Sequence, residues 1–273
     1  MALPSLSLSL SLFFGSLLCG LIAGIIAGMF GVGGGIIVVP VLLLLFHLNE
    51  IHPDIIMQLA VGTSLATIII TNLSATWNHH RRQSVQWHTA GHYTPGCLLG
   101  AWLGSKLATL MSGSLLILLF GLFEIYVGLK MIRSSTPTTT TPTPLPKWLT
   151  STIGIGIGGL SALFGIGGGT LSVPALTLLS GLPMTRAVGT SSAIGIPLAV
   201  AGTLGFIQAG WQVNTLPPDA VGFVLPTAFF GIATGSLLTT PLGVRLAHAM
   251  DPAKLKKGFG FFLLIVGIKL LLK

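Results

Sequence analysis

Residues 28–40 read GMFGVGGGIIVVP, and residues 162–174 read ALFGIGGGTLSVP. Both contain Phe-Gly-x-Gly-Gly-Gly, and a proline follows five residues later (Pro40 and Pro174, an offset of 134). Glycine lets a backbone turn sharply and approach a neighbour or ligand closely. No charged residue lies in either stretch, so each reads as a bend set inside an apolar segment.

Three further blocks recur in the same order. Ala60-Val61-Gly62-Thr63-Ser64 returns as Ala187-Val188-Gly189-Thr190-Ser191, at an offset of 127. Gly104-Ser105-Lys106-Leu107-Ala108 matches Gly243-Val244-Arg245-Leu246-Ala247, and Gly128-Leu129-Lys130 matches Gly267-Ile268-Lys269, both at 139. The chain is therefore written twice, as repeats 1–133 and 148–273. Between them, 134–147 is an uncharged Pro/Thr-rich run closed by Lys147, and it reads as an extended linker.

Of 273 residues, 13 are Lys or Arg and 5 are Asp or Glu. Charged residues make up 7% of the chain, against about 25% in an average soluble domain. Mean hydropathy is +0.92. So few charges cannot cover a water-soluble domain of this size. The net charge of +8 is spread thinly and forms no basic stripe, which excludes nucleic acid as a partner. Cys19 and Cys97 fall inside apolar runs and read as small packing residues, not as a disulfide or metal pair.

Residues 1–49, 55–80, 83–105, 107–123, 148–185, 187–218 and 220–244 carry no charge. A spanning helix needs about 20 apolar residues, so the chain is a polytopic membrane protein. Apolar runs such as Val41 to Phe46 do not alternate as barrel strands do. The class is therefore all-α, because a lipid-exposed segment must satisfy its own backbone. The N-terminus lacks a basic region before its apolar run and reads as the start of the first membrane helix, not as a cleavable signal.

Each half divides into five apolar segments, near 9–30, 36–48, 55–77, 89–111 and 113–132, then 148–165, 170–182, 187–209, 220–242 and 256–272. The second of each set is too short to cross upright, and reads as a broken or re-entrant helix at the glycine tip. An odd number of crossings per half would make the repeats inverted. If Glu50 and Asp54 are outside, Arg81, Arg82, Lys130, Arg133, Lys147, Arg186, Arg245, Lys254, Lys256 and Lys257 are inside, as the positive-inside rule asks. Both termini then lie outside. Trp77, Trp87, Trp148 and Trp211 lie near segment ends, where interfacial tryptophans collect.

Short Gly/Pro-interrupted segments at matching positions point to a transporter's binding site. A helix starting at each tip would turn unpaired N–H groups and a positive dipole end toward an anion. The site residues are then Gly33, Gly34 and Gly35 in one half and Gly167, Gly168 and Gly169 in the other. The competing reading gives the glycines only a hairpin or packing role. Thr63, Ser64, Thr190, Ser191 and Ser192 read as hydroxyls at helix starts that cap backbone or donate to the anion. Asn72 is the most polar residue deep in its segment and faces either ligand or another helix. Glu124, flanked by apolar residues and matched by Leu263, is a candidate for a coupling proton or a pair with Lys130. Lys106 and Arg245 read as snorkelling cations.

Enzyme patterns are missing. Ile36-Ile37 and Thr170-Leu171 stand where a phosphate-binding loop needs Gly-Lys-Ser/Thr, and the second copy has no acidic residue before Asp219 to support a dinucleotide fold. Ser64-Leu65 and Ser191-Ser192 lack the glycine of a serine nucleophile motif. His79-His80-Arg81-Arg82 reads as a loop between the third and fourth segments. Its arginines disfavour a metal, as does the lack of Cys or carboxylate beside it and beside His88 and His92. No cofactor is expected.

At its two Phe-Gly-x-Gly-Gly-Gly…Pro blocks and two Ala-Val-Gly-Thr-Ser blocks, the sequence resembles the TauE/SafE family of sulfite exporters. The resemblance spans nearly the whole chain apart from the N-terminal tail and linker. It implies a transporter of sulfur-containing anions, sulfite or organosulfonates, usually in a bacterial inner membrane. The glycine tips and Gly-Thr-Ser stretches would line the site in both halves. The halves differ, however: the loop from Phe46 to Leu59 is longer than its counterpart, and Ile36 faces Thr170 across the repeat. The expectation is a secondary transporter, two inverted five-segment repeats working by alternating access. Its partners are a small anion and the bilayer, with a homo-oligomer allowed. A passive anion channel and a membrane scaffold are the alternatives.

Overall fold

The computed structural model describes residues 6–31, 33–133, 146–249 and 252–272. Ten helices follow one another: α1 (Leu6–Phe30), α2 (Gly35–Leu48), α3 (Pro53–Arg81), α4 (Trp87–Leu110), α5 (Gly113–Arg133), α6 (Lys147–Phe164), α7 (Gly169–Leu178), α8 (Met184–Gly210), α9 (Pro226–Ala249) and α10 (Pro252–Leu271). They match the ten apolar segments one for one. The fold is all-helical among the described residues, apart from an isolated bridge between Val221 and Val224. Most of the linker, residues 134–145, lies outside the described residues. Five helices are long and apolar enough to cross a bilayer, namely α1, α3, α5, α8 and α9. The chain is a multi-pass membrane protein.

Several boundaries differ from the sequence reading, among them the ends of α7 (Leu178, not 182) and α9 (Ala249, not 242). His79, His80 and Arg81 do not form a loop but end α3, because the buried face of that helix runs on through Ala75 and Thr76 to His79, which is completely buried. The Gly-Thr-Ser stretches are not helix starts. Thr63 and Thr190 lie well inside α3 and α8, which begin at Pro53 and Met184. α9 begins at Pro226 and not near 220, since Gly222 adopts φ +55° in the bridged turn just before it.

α3 and α8, which correspond across the repeat, pack together at the centre. Gly202 meets Leu65, Gly195 meets Asn72 and Gly189 meets His79, so the two helices run antiparallel. α5 and α10 also run antiparallel, with Gly121 against Gly267 and Gly128 against Gly260. The cross-pairs α1 with α9 and α4 with α6 run parallel: Gly20, Gly24 and Gly28 meet Ile232, Ser236 and Thr240, and Gly96, Gly100 and Gly104 meet Ser151, Ile155 and Gly159. Exchanging the two halves leaves this pattern of neighbours unchanged. Phe14, Leu18 and Ile22 of α1, and Leu103 and Leu107 of α4, stay exposed, as a lipid-facing surface requires.

Glycine spacing explains the close cross-pairs. With lipid as solvent, helices gain little from burying apolar area against each other, so small residues that bring backbones together carry the association. A Cβ at Gly100 would run into the Ile155 carbonyl oxygen, whereas a Cβ at Gly156 would meet nothing within 4 Å. Gly100→Leu should therefore cost about 2 kcal/mol or more. Gly156→Ala should be neutral or slightly stabilising, by up to about 1 kcal/mol of helix propensity. Thermal unfolding of both variants in detergent checks the contrast, and equal melting temperatures would refute the packing assignment.

Candidate functional site

The two glycine bends share a backbone design. α1 and α6 stop at Gly31 (φ +66°) and Gly165 (φ +68°), and α2 and α7 start after Gly34 (φ +78°) and Gly168 (φ +81°). A side chain at any of these four would be strained. The helical ladder opens with Ile37 and Val38 N–H donating to Gly34 O at 3.0 and 3.1 Å, and with Leu171 and Ser172 N–H donating to Gly168 O at 3.0 and 2.7 Å. The N–H groups of Gly35 and Ile36, and of Gly169 and Thr170, precede that ladder and have no partner inside their own helix. The tips also touch each other. A Cβ at Gly33 would stand 3.1 Å from Gly167 Cα, and one at Gly35 would strike Gly165 O. Two helix N-termini, each worth about half a positive charge, thus converge.

The Gly-Thr-Ser stretches hold the opposite half by three contacts each. Ser64 Oγ donates to Gly165 O at 2.8 Å, and Ser191 Oγ donates to Gly31 O at 3.2 Å. Thr63 Oγ1 accepts from Leu225 N–H at 2.9 Å, and Thr190 Oγ1 accepts from Gln86 N–H at 3.0 Å. A Cβ at Gly62 would hit the Phe223 carbonyl oxygen, and one at Gly189 would come within 2.7 Å of the Ser84 carbonyl oxygen. Each glycine admits a loop carbonyl, the threonine binds the same loop two residues on, and the serine ties down the other half's tip. Ser192 bonds back to Val188 O at 3.1 Å.

Asn72 sits where the tips meet. A Cβ at Gly33 would stand 3.3 Å from its Oδ1, while one at Gly195 would collide with its Nδ2 and stand 2.7 Å from Gly167 O. The side chain is fully buried and neither amide atom has a hydrogen-bond partner among the described residues. Each such group costs about 1–3 kcal/mol when left unpaired. Asn72 lies about 28 Å along α3 and Gly195 about 16 Å along α8, at ~1.5 Å per residue. In helices running antiparallel, those depths coincide near the middle.

A family model described as "Sulfite exporter TauE/SafE" matches residues 16–270. The chain belongs to this family. A Haemophilus influenzae protein described as a "probable membrane transporter protein" is 34% identical over 257 residues, 94% of this chain and 97% of that one. A Xylella fastidiosa protein of the same description is 32% identical over 245 residues, covering 88% and 87%. A Methanocaldococcus jannaschii relative, also described as a probable membrane transporter, is 28% identical over 252 residues, covering 89% and 90%. No solved structure matches the chain. Family and relatives alike indicate a membrane transporter.

In this TauE/SafE protein the remaining polar residues are dispersed. Glu124 is fully buried on α5, with neither carboxyl oxygen hydrogen-bonded among the described residues. It does not pair with Lys130, whose Nζ lies 5.7 Å from the Tyr126 ring centroid. Phe120 and Phe123, on the turn before Glu124, pack against Phe164, next to the second tip. His79 Nε2 lies 3.2 Å from Gly28 O. No Lys or Arg is buried among the described residues, and none of them form a group of three His, Cys, Asp or Glu that could hold a metal.

Two further hydroxyls at the second tip escaped the sequence reading. Ser172 Oγ lies 2.6 Å from Ser191 Oγ and donates to Gly168 O at 2.9 Å. Ser161 Oγ is buried without a hydrogen-bond partner among the described residues, 3.8 Å from where a Gly168 Cβ would stand. Their counterparts are Val38 and Ala27, so a hydroxyl replacing an apolar residue in one copy was the available signal. Ser84–Gln86 and Phe223–Leu225 share only their central valine, Val85 and Val224, at the offset of 139.

Burial should separate the two threonine contacts. Leu225 is buried whereas Gln86 is half-exposed and can turn its N–H to water. Thr63→Val should cost about 1–3 kcal/mol and Thr190→Val about 1 kcal/mol or less. Melting temperatures of the purified variants measure this, and equal losses would contradict it.

Proposed function

We propose that the chain is a secondary transporter that moves a small sulfur-containing anion, of the sulfite or organosulfonate class, by alternating access. The observation that carries this reading is the meeting of two helix N-termini with an unpaired, buried amide near the middle of the fold. The antiparallel course of matched helices supports repeats 1–133 and 148–273 as inverted halves, with 134–147 joining them. The anion binds at the two tips, Gly33, Gly34 and Gly35 and Gly167, Gly168 and Gly169, through their backbone N–H groups, that of Gly168 first giving up its bond to Ile166 O, and to Asn72.

Binding requires the touching tips to part. As a tip withdraws, Ser64 or Ser191 loses its carbonyl partner and its O–H becomes available to the anion, bordered by Thr63, Thr190 and Ser192. The two loop contacts, Phe223–Leu225 on α3 and Ser84–Gln86 on α8, then act as closures, one toward each membrane face. Releasing one while keeping the other exposes the site to one side at a time. No ATP-binding motif is present in this chain, so an ion gradient or the anion's own gradient drives the cycle. Glu124 is the group assigned to proton coupling, because it is a buried carboxyl beside the aromatic contact with the second tip.

Uptake of labelled sulfite into proteoliposomes tests the site. Gly34→Leu and Gly168→Leu, placed at φ +78° and +81°, should abolish flux in protein that still elutes as a single folded species. Flux unchanged in both variants would remove the tips from the pathway, and absence of any anion flux in the wild type would favour a scaffold. Flux without saturation or counterflow would favour a channel. Glu124→Gln should retain counterflow but lose accumulation driven by a pH gradient. Unaltered accumulation would exclude Glu124 as the coupling group.

A further inference from the structure

Asn72 breaks the two-fold design of the tips. The position matching it in α8 is Ala199, so the molecule places one amide, not two, at the junction of Gly33, Gly167 and Gly195. The residue is fully buried and both amide atoms lack hydrogen-bond partners among the described residues. A carboxamide presents a donor edge and an acceptor edge whichever way its oxygen and nitrogen are placed. A fully deprotonated oxyanion can satisfy only the donor edge and would bring its own lone pairs against the carbonyl oxygen. An oxyanion that keeps a proton satisfies both edges, accepting from Nδ2 and donating its O–H to Oδ1.

The charge at the tips selects in the same direction. No Lys or Arg is buried among the described residues. The positive potential there comes from two helix N-termini of about half a charge each, which together balance roughly one negative charge. A dianion would leave a full charge uncompensated in a low-dielectric setting.

From these two features, and resting on the anion site proposed above, we infer that the transporter selects a singly charged oxyanion that still carries a hydroxyl proton. For sulfite this is hydrogen sulfite, not the dianion, and organosulfonates, which carry no such proton, fall outside the class as narrowed here. Asn72 is the specificity-determining residue.

Methylphosphonate and methanesulfonate separate the cases. At mildly acid pH both are tetrahedral monoanions of nearly the same size, and only methylphosphonate retains an O–H. The readout is stabilisation of the purified full-length protein against thermal unfolding as each anion is titrated. The monoanion of methylphosphonate should bind about tenfold more tightly, the worth of one charge-assisted hydrogen bond to a buried acceptor. In Asn72→Leu, and in Asn72→Ala, which copies the second half, the two anions should bind equally. In the wild type the preference should fade as rising pH removes the second proton from methylphosphonate. Methanesulfonate does not titrate, so it reports any effect of the protein's own buried titratable groups, among them His79 on α3, Glu124 on α5, and Cys19, Tyr93 and Cys97. Equal binding in the wild type, or a preference that survives in both variants, would overturn the role of Asn72. Stabilisation by neither anion, in a protein that also shows no sulfite flux, would overturn the anion site itself.

Discussion

An unpaired backbone group in hydrocarbon costs several kcal/mol, so non-helical chain inside a bilayer must be enclosed by protein. This chain has two non-helical bends between apolar helices, at Gly31–Gly34 and Gly165–Gly168. Neither half encloses its own bend. The carbonyl of Gly31 is bound by Ser191 from the second half, and that of Gly165 by Ser64 from the first. Each half therefore depends on the other for a group that it cannot satisfy alone. This reciprocal dependence fixes how closely α3 and α8 must pack.

The duplicated motifs acquire separate meanings from that constraint. The Phe-Gly-x-Gly-Gly-Gly blocks make the bends, and the Ala-Val-Gly-Thr-Ser blocks receive them. The glycine of the second motif yields space to a loop carbonyl, its threonine takes the loop's N–H, and its serine takes the tip. The remaining glycines do different work. Along α1 with α9, and α4 with α6, they let parallel helices approach without a side chain between them. One residue type thus serves bending, docking and packing, and only its neighbours tell these uses apart.

The two halves depart from symmetry at buried polar positions. A fold duplicated without change would offer the same groups to both sides of a ligand. Here Asn72 opposes Ala199, Glu124 opposes Leu263, and Ser172 opposes Val38. Asn72 and Glu124 are buried with polar atoms that no described residue satisfies, whereas Ser172 is tied into the bond network of the second tip. Unsatisfied polar groups in an enclosed core are retained at a cost in stability, and a ligand or proton that meets them recovers it.

The ten segments, the membrane class and the repeat were legible in the sequence because each rests on local information. Runs without charge report burial in lipid, and four blocks recurring in the same order report duplication. The tips were legible for the same reason, since four glycines before a proline bend a chain regardless of context. The end of α3 was not, because the burial of His79 depends on α1, which supplies Gly28 O. Nor was the place of the Gly-Thr-Ser hydroxyls, whose partners lie 101 to 162 residues away in the chain. Sequence alone determined which residues can bend, span and bond. Only the tertiary structure decided which of them meet, because a hydrogen bond between halves depends on how helices pack, and nothing local in the chain records its partner.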